Sequence, residues 1–123
     1  MRVLVCGDRE WSNGEVMLRR LQALEGYDEV VIIEGEARGA DLMAKSIAGY
    51  FGWKVLAFPA NWDKYHRAAG PIRNQQMLVE GKPDLVLAFH VDLERSKGTK
   101  DMVNRARRAG VPVEVITGEG ELS

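Results

Sequence analysis

The segment Ser96-Lys97-Gly98-Thr99 has the composition of an anion cradle. Glycine lets backbone N–H groups come close to an anion, and a helix predicted to begin here would add unpaired donors and the positive end of its dipole. Thr99 would offer a hydroxyl and Lys97 a charge to a phosphate; the same spacing also describes a capped helix after a glycine turn. Arg9, Arg38, Arg67 and Arg73 could clamp phosphates through paired guanidinium hydrogen bonds, or be solvated loop residues. Trp11 and Trp62 could stack on a nucleobase or cover the core. Asp41 would repel a phosphate placed at its own helix start, so it reads either as a capping residue or as an acceptor for ribose hydroxyls. Asp8, Glu10, Glu34 and Glu36 add further carboxylates. His66, beside Tyr65 and Arg67, could serve as an acid or base, whereas His90 ends a predicted strand and reads as satisfying a backbone group.

These residues need elements to position them. Short apolar runs at 2–6, 29–33, 54–58, 84–89 and 112–116 alternate with segments of helical spacing, the pattern of repeated strand-helix units around a parallel sheet. Most runs are continuous, as expected for strands covered on both faces. Met17, Leu18, Leu21 and Leu24 form one helical stripe, and Met43, Ala44, Ile47, Ala48 and Phe51 a second. A third helix is predicted over 71–79, with Pro71 in its first turn, and a fourth over 99–109, carrying Met102, Val103 and Ala106 inward. The fold class is therefore α/β: a three-layer, Rossmann-like doubly wound domain over residues 1–117, followed by a short flexible tail at 118–123. In such a sheet ligands bind beyond the carboxyl ends of the strands. The glycine-bearing loops that follow strands (7–11, 34–41, 59–70 and 96–99) hold the residues named above, while the connections at the opposite edge, 25–28 and 81–83, read as ordinary turns.

Composition sets limits. The 123 residues are 46% hydrophobic, enough for one buried core. Seventeen Lys and Arg against eighteen Asp and Glu give a net charge of -1, which argues against sequence-independent nucleic-acid binding. The single cysteine, Cys6, excludes an intramolecular disulfide and a cysteine-based zinc cluster. No stretch has the length of a signal-peptide core or a membrane span, so the chain reads as cytoplasmic. Neither the dinucleotide-binding Gly-x-Gly-x-x-Gly nor the P-loop pattern is present. No metal site is assigned and no cofactor identified, although three or more loop carboxylates could hold a divalent cation beside a phosphate.

Six segments in order resemble the SLOG superfamily, the Rossmann-like group named for the Smf/DNA-processing proteins and the LOG phosphoribohydrolases, and in particular its small YspA/YpsA-related branch of bacteria and phages. They are Gly7-Asp8-Arg9-x-Trp11, Gly35-x-Ala37-Arg38-Gly39-Ala40-Asp41, Pro59-Ala60-Asn61-Trp62, Ala69-Gly70-x-x-Arg73-Asn74-x-x-Met77, the run from Asp84 to Phe89, and Lys97-Gly98-Thr99. The resemblance implies about five parallel strands in the order 3-2-1-4-5, a nucleotide-derived small molecule as partner, and a homo-oligomer. A phage-encoded member would work in the host cytoplasm. LOG relatives cleave the N-glycosidic bond of nucleoside monophosphates with an arginine and a glutamate after Gly-Gly-x-Gly-Thr. This chain instead has Ser96-Lys97-Gly98-Thr99-Lys100-Asp101, with one glycine and no glutamate in the following turn.

The expected function is sensing or sequestering a nucleotide-derived ligand. Lys97, Gly98, Thr99, Arg9 and Arg73 would contact phosphate; Asn74, Asp8 and Asp41 would contact ribose or base edges; Trp11 or Trp62 would stack. Gly7, Gly35, Arg38, Gly39 and Asn61 complete the expected ligand-binding set. The alternative is nucleoside-monophosphate N-glycosidase activity, with Arg73, Asp101 and Glu36 as catalytic candidates, because glycosidic cleavage needs a carboxylate near the reacting carbon. Single-stranded DNA binding is disfavoured by the charge balance.

Overall fold

The computed structural model describes residues 1–118. Strand β1 (Arg2–Gly7) leads to helix α1 (Gly14–Gln22), β2 (Val31–Glu34) to α2 (Ala40–Phe51), and β3 (Lys54–Ala57) to a short α3 (Trp62–Tyr65), a 3-10 turn (His66–Ala68) and α4 (Ala69–Gly81). Strand β4 (Leu85–Phe89), a second 3-10 turn (Leu93–Arg95), α5 (Gly98–Arg108) and β5 (Val113–Ile116) complete the order. The five strands form one parallel sheet, β3-β2-β1-β4-β5, as the resemblance implied.

The continuous apolar runs have the expected cause. In β1, Val3 and Val5 pack on one face, while Leu4 and Cys6 pack on the other. In β4, Leu87 and Phe89 face the first side, with Val86 and Ala88 on the second. The first side is closed by Val16, Met17 and Leu21 of α1 and by Ala40, Ala44 and Ala48 of α2; the second by Met77 of α4 and by Met102, Val103 and Ala106 of α5. Fully burying one such Leu, Ile or Met contributes about 1.5 to 3 kcal/mol, so two such layers hold β1 and β4 firmly side by side.

Several boundaries differ from the sequence expectations. Strand β2 starts at Val31, whose N–H donates to the carbonyl of Met1, and Glu29 lies before it. Helix α4 begins two residues before Pro71, which still falls in the first turn where its missing N–H costs nothing, and continues to Gly81. Gly81 ends the helix, with its bare Cα packed close to Ile33. Segment 59–70, expected as loop, contains α3, which Asn61 caps by accepting from the Lys64 N–H at 3.1 Å. Of the expected tail 118–123, Gly118 packs by the Trp11 ring, and 119–123 lie outside the described residues.

Candidate functional site

The carboxyl ends of β1 and β4 are neighbours, with Gly7 in register with Phe89. This is the switch point: α1 and α2 lie on one side of the sheet, α4 and α5 on the other. A cavity of about 680 Å³ opens there, and the loops after β1, β2, β3 and β4 all reach it. Most of the expected residues line it: Gly7, Asp8 and Arg9 from the first loop, Arg38 and Asp41 from the second, Trp62, Arg73 and Asn74 from the third, and Lys97, Gly98, Thr99 and Asp101 from the fourth. A contiguous side recess shares Arg9, Arg38, Trp62 and Arg73 and adds Gly35 and Glu36.

Three expected ligand residues are not part of this lining. Trp11 is a core residue, 5% exposed, meeting Phe89 edge-on with ring centroids 5.5 Å apart and donating from Nε1 to the Asn13 carbonyl at 3.1 Å. Its ring therefore cannot stack on a ligand. Asn61 spends its side chain on capping α3. Gly39 lies beneath the first loop, where its φ of +79° is open to glycine and a Cβ would collide with the Asp8 and Arg9 carbonyls. Gly7 and Gly35 also owe their identity to packing. A side chain at Gly7 would run into Phe89 and Ala40, and one at Gly35 into the Arg73 guanidinium. Gly98, by contrast, has open space where its Cβ would be.

Polar residues at this edge hold the loops to one another. Arg73 donates from Nη1 to the Gly35 carbonyl at 2.6 Å and from Nε to Asn74 Oδ1 at 3.2 Å. Asn74, 5% exposed, donates from Nδ2 to the Gly98 carbonyl at 3.2 Å and to Asp101 Oδ2 at 3.0 Å. Asp101 Oδ2 also receives Arg105 Nε at 2.8 Å. Asp41 Oδ2 accepts from the N–H groups of Gly35 and Ala37, in the loop before its helix, at 3.2 and 3.3 Å. Burial pushes its carboxyl up to about 6, opposed by the Arg73 charge and these two N–H groups. Burial lowers Arg73, and the nearby Asp41 charge partly restores it. Burial drives the Cys6 thiol, which lines the cavity, far above its ordinary range, which disfavours its thiolate form.

Further carboxylates are also committed. Glu36 pairs with Lys45 at 2.8 Å and is lowered chiefly by that bond. Glu34, fully buried at the end of β2, accepts the Glu36 N–H at 2.7 Å through Oε1, while Oε2 has no hydrogen-bond partner. Desolvation, with the Glu36 carboxylate adding to it, raises Glu34 to about 8. Among the described residues no three His, Cys, Asp or Glu side chains converge in a metal-binding group. The loop carboxylates expected to be able to surround a cation instead hold separate partners.

What faces the cavity without such a role is more limited. Trp62 is 46% exposed, and the Arg9 guanidinium lies 5.5 Å from its ring centroid, a cation–π arrangement. Among the described residues Arg9, Arg67 and Lys97 have no ion pair. At the start of α5, Ser96 Oγ accepts from the N–H groups of Thr99 at 2.9 Å and Lys100 at 3.4 Å. The helix is thus capped by Ser96, while the space beside Gly98 at its start is open. Arg38, by contrast, pairs with Glu10 at 2.6 Å on the exposed rim.

His90 is the residue that sequence reasoning passed over. It does satisfy a backbone group, with Nδ1 accepting the Asp92 N–H at 3.0 Å. Its ring also lines the cavity, with Nε2 3.8 Å from Asp8 Oδ2. The available signal was topological: if β1 and β4 are adjacent, residues just after each strand become neighbours.

Comparison with known proteins agrees with this architecture. Residues 1–65 match the family model described as YAcAr, the YspA, cpYpsA-related SLOG family. The Gene 61 protein of Mycobacterium phage D29 is 33% identical over 121 residues, covering 91% of this chain and 93% of the phage protein. The crystal structure of DNA processing protein A from Streptococcus pneumoniae superimposes with a TM-score of 0.58 at 18% identity, over 95% of this chain and 59% of that one. This chain thus spans about three-fifths of that structure, and the likeness is one of fold. Among the described residues no helix is long and apolar enough to cross a membrane.

Proposed function

The chain belongs to the YspA- and cpYpsA-related SLOG family, and from that premise we propose that its cavity binds a nucleotide or nucleotide-derived small molecule, as a sensor or sequestering protein. One observation carries this reading: a single cavity at the switch point combines an exposed tryptophan with three unpaired cations and an open helix start. Trp62 supplies the stacking face, with the Arg9 charge beside it. The Gly98 N–H and Lys97 supply donors for phosphate, aided by the α5 dipole. Arg73, expected as a phosphate ligand, and Asn74 and Asp41, expected at the ribose or base, line the cavity and also keep its loops in place. Asp8 is left as the carboxylate free to meet a sugar.

N-glycosidic hydrolysis is the second reading, and its support is that Asp101 lines the cavity beside Thr99. Its Oδ2 is held by Asn74 and Arg105, while Glu36, the other carboxylate candidate, lines only the side recess and pairs with Lys45. Calorimetry and mass spectrometry on one sample, incubated with a panel of nucleoside mono-, di- and triphosphates and cyclic nucleotides, separate the two. Heat with unmodified ligand is expected. Release of free base that is lost in Asp101→Asn would replace the sensor reading with the enzyme. No heat and no turnover across the panel would remove both.

A further inference from the structure

Two groups in the cavity, the His90 imidazole and the Asp8 carboxylate, face each other at a separation that a hydrogen bond does not explain. Nε2 and Oδ2 are 3.8 Å apart, beyond the range of a direct N–H···O bond. Each is independently fixed. The Asp92 N–H donates to His90 Nδ1 at 3.0 Å, which requires a lone pair on Nδ1 and leaves the proton of the neutral ring on Nε2. Asp8 Oδ1 accepts the Glu10 N–H at 2.9 Å. The Asp8 backbone is pinned in turn, its N–H donating to the Phe89 carbonyl at 2.9 Å and its carbonyl accepting from the Trp11 and Ala40 N–H groups at 3.1 Å. The outcome is one donor and one acceptor, side by side at the ends of adjacent strands and lining the same cavity.

Resting on the nucleotide-site reading above, we propose that Asp8 and His90 form a notch for the vicinal 2′,3′-diol of a ribose, making the site selective for ribo- over 2′-deoxyribonucleotides. Neighbouring hydroxyl oxygens of a ribose lie about 2.8 Å apart, so hydrogen bonds of about 2.8 Å to an acceptor and a donor 3.8 Å apart close a four-cornered figure with little distortion. One hydroxyl donates to Asp8 Oδ2, and the other accepts from His90 Nε2–H. The second hydroxyl can also donate to the first, so every proton has an acceptor. A base edge is a poorer match. Its donor and acceptor are fixed in one plane, whereas the hydroxyl protons of a diol rotate to suit the carboxylate. The notch lines the same cavity as the Gly98 N–H and Lys97, so one ligand would meet both.

The test uses base-free probes, so that it does not depend on the nucleobase. Ribose 5-phosphate, 2-deoxyribose 5-phosphate and inorganic phosphate are titrated separately while NMR follows the His90 ring Cε1–H and the backbone amides. With only two histidines in the chain, His66→Gln assigns the His90 signal. Ribose 5-phosphate is expected to shift the His90 ring and the Glu10 amide, and to bind about tenfold or more tightly than the deoxy sugar. Asp8→Asn, which keeps an acceptor for the Glu10 N–H, and His90→Asn should each bring the two sugars within about twofold of one another, with the amides at Lys97 to Thr99 still responding. If both sugar phosphates move the Lys97 to Thr99 amides equally and leave His90 unmoved, the notch is wrong while the phosphate site stands. If none of the three probes moves any cavity resonance, the notch falls together with the nucleotide-site reading.

Discussion

Replacing Glu34 with glutamine is expected to stabilise the protein at neutral pH and to have no such effect in acid. Glu34 is fully buried, one of its carboxyl oxygens has no partner, and desolvation raises its pKa from an ordinary 4.5 to about 8. The folded chain thus keeps a proton that the unfolded chain has released. With a raised folded-state pKa on a carboxyl, the folded state binds more protons between about 4.5 and 8, so stability is greatest below that window and falls as pH rises through it. At pH 7 the loss spans about 2.5 pH units at 1.36 kcal/mol each, or about 3 kcal/mol. Glutamine keeps the acceptor for the Glu36 N–H and replaces the buried hydroxyl with an amide donor, so it retains the neutral state without the linkage. Urea unfolding of both proteins at pH 4.5, 6, 7 and 8 checks this. The difference should grow from near zero at pH 4.5 to about 3 kcal/mol at pH 7 and about 4 kcal/mol at pH 8. Asp41, raised to about 6 by its own burial, is present in both proteins, and its charge is among those that raise Glu34. Equal stabilities at every pH, or a Gln variant weaker at pH 7 by more than about 1 kcal/mol, would show that Glu34 is ionised in the fold and that the desolvation reasoning is wrong.

Other substitutions separate residues that build the cavity from residues that use it. Gly39→Ala forces a side chain into the left-handed region and against the Asp8 and Arg9 carbonyls; thermal or urea unfolding should show a loss of at least about 2 kcal/mol. Asn74→Ala removes the amide that ties Arg73, Gly98 and Asp101 together, and the same assay should show a loss of about 2 to 3 kcal/mol. Trp62→Ala should cost about 1 to 3 kcal/mol of stability by urea unfolding, since about half of the ring is buried, and should cut nucleotide affinity by calorimetry about tenfold or more, the value of one base stack. An unchanged affinity there would remove the stacking role.

The fold was legible because the two central strands are buried on both faces and advertise it as unbroken apolar runs: Val3 to Cys6 and Val86 to Phe89 have no polar residue to spare. The site was legible in outline for a related reason, since only the loops after strands combined glycine, arginine and tryptophan. What one-dimensional reading could not separate was the partner of each residue. Trp11 and Trp62 look alike as loop aromatics a few residues after a strand, yet only Trp11 follows the strand that neighbours β4, where it meets Phe89. Gly7, Gly35 and Gly39 suggested a phosphate approach, but the groups approaching them are Phe89, Arg73 and the first loop. His90 was read only as a backbone partner because its place beside Asp8, eighty-two positions earlier in the chain, is not visible in one dimension.

Sorting the edge by partner also explains how a chain of net charge -1 could attract an anion. Glu10 is matched by Arg38, Glu36 by Lys45, and Asp101 by Arg105. Asp41 and Arg73 lie close enough to perturb each other's ionisation. Once these are set aside, the cavity retains Arg9, Arg67 and Lys97 against the single carboxylate of Asp8, a local surplus that the overall charge conceals. That carboxylate would repel a phosphate placed beside it, so the anionic end of a ligand belongs at Lys97 and Gly98 and its neutral, hydroxyl-bearing part at Asp8. On the proposed nucleotide reading, the polarity of the cavity would orient a phosphorylated sugar in one direction, with the phosphate toward α5 and the sugar toward the end of β1.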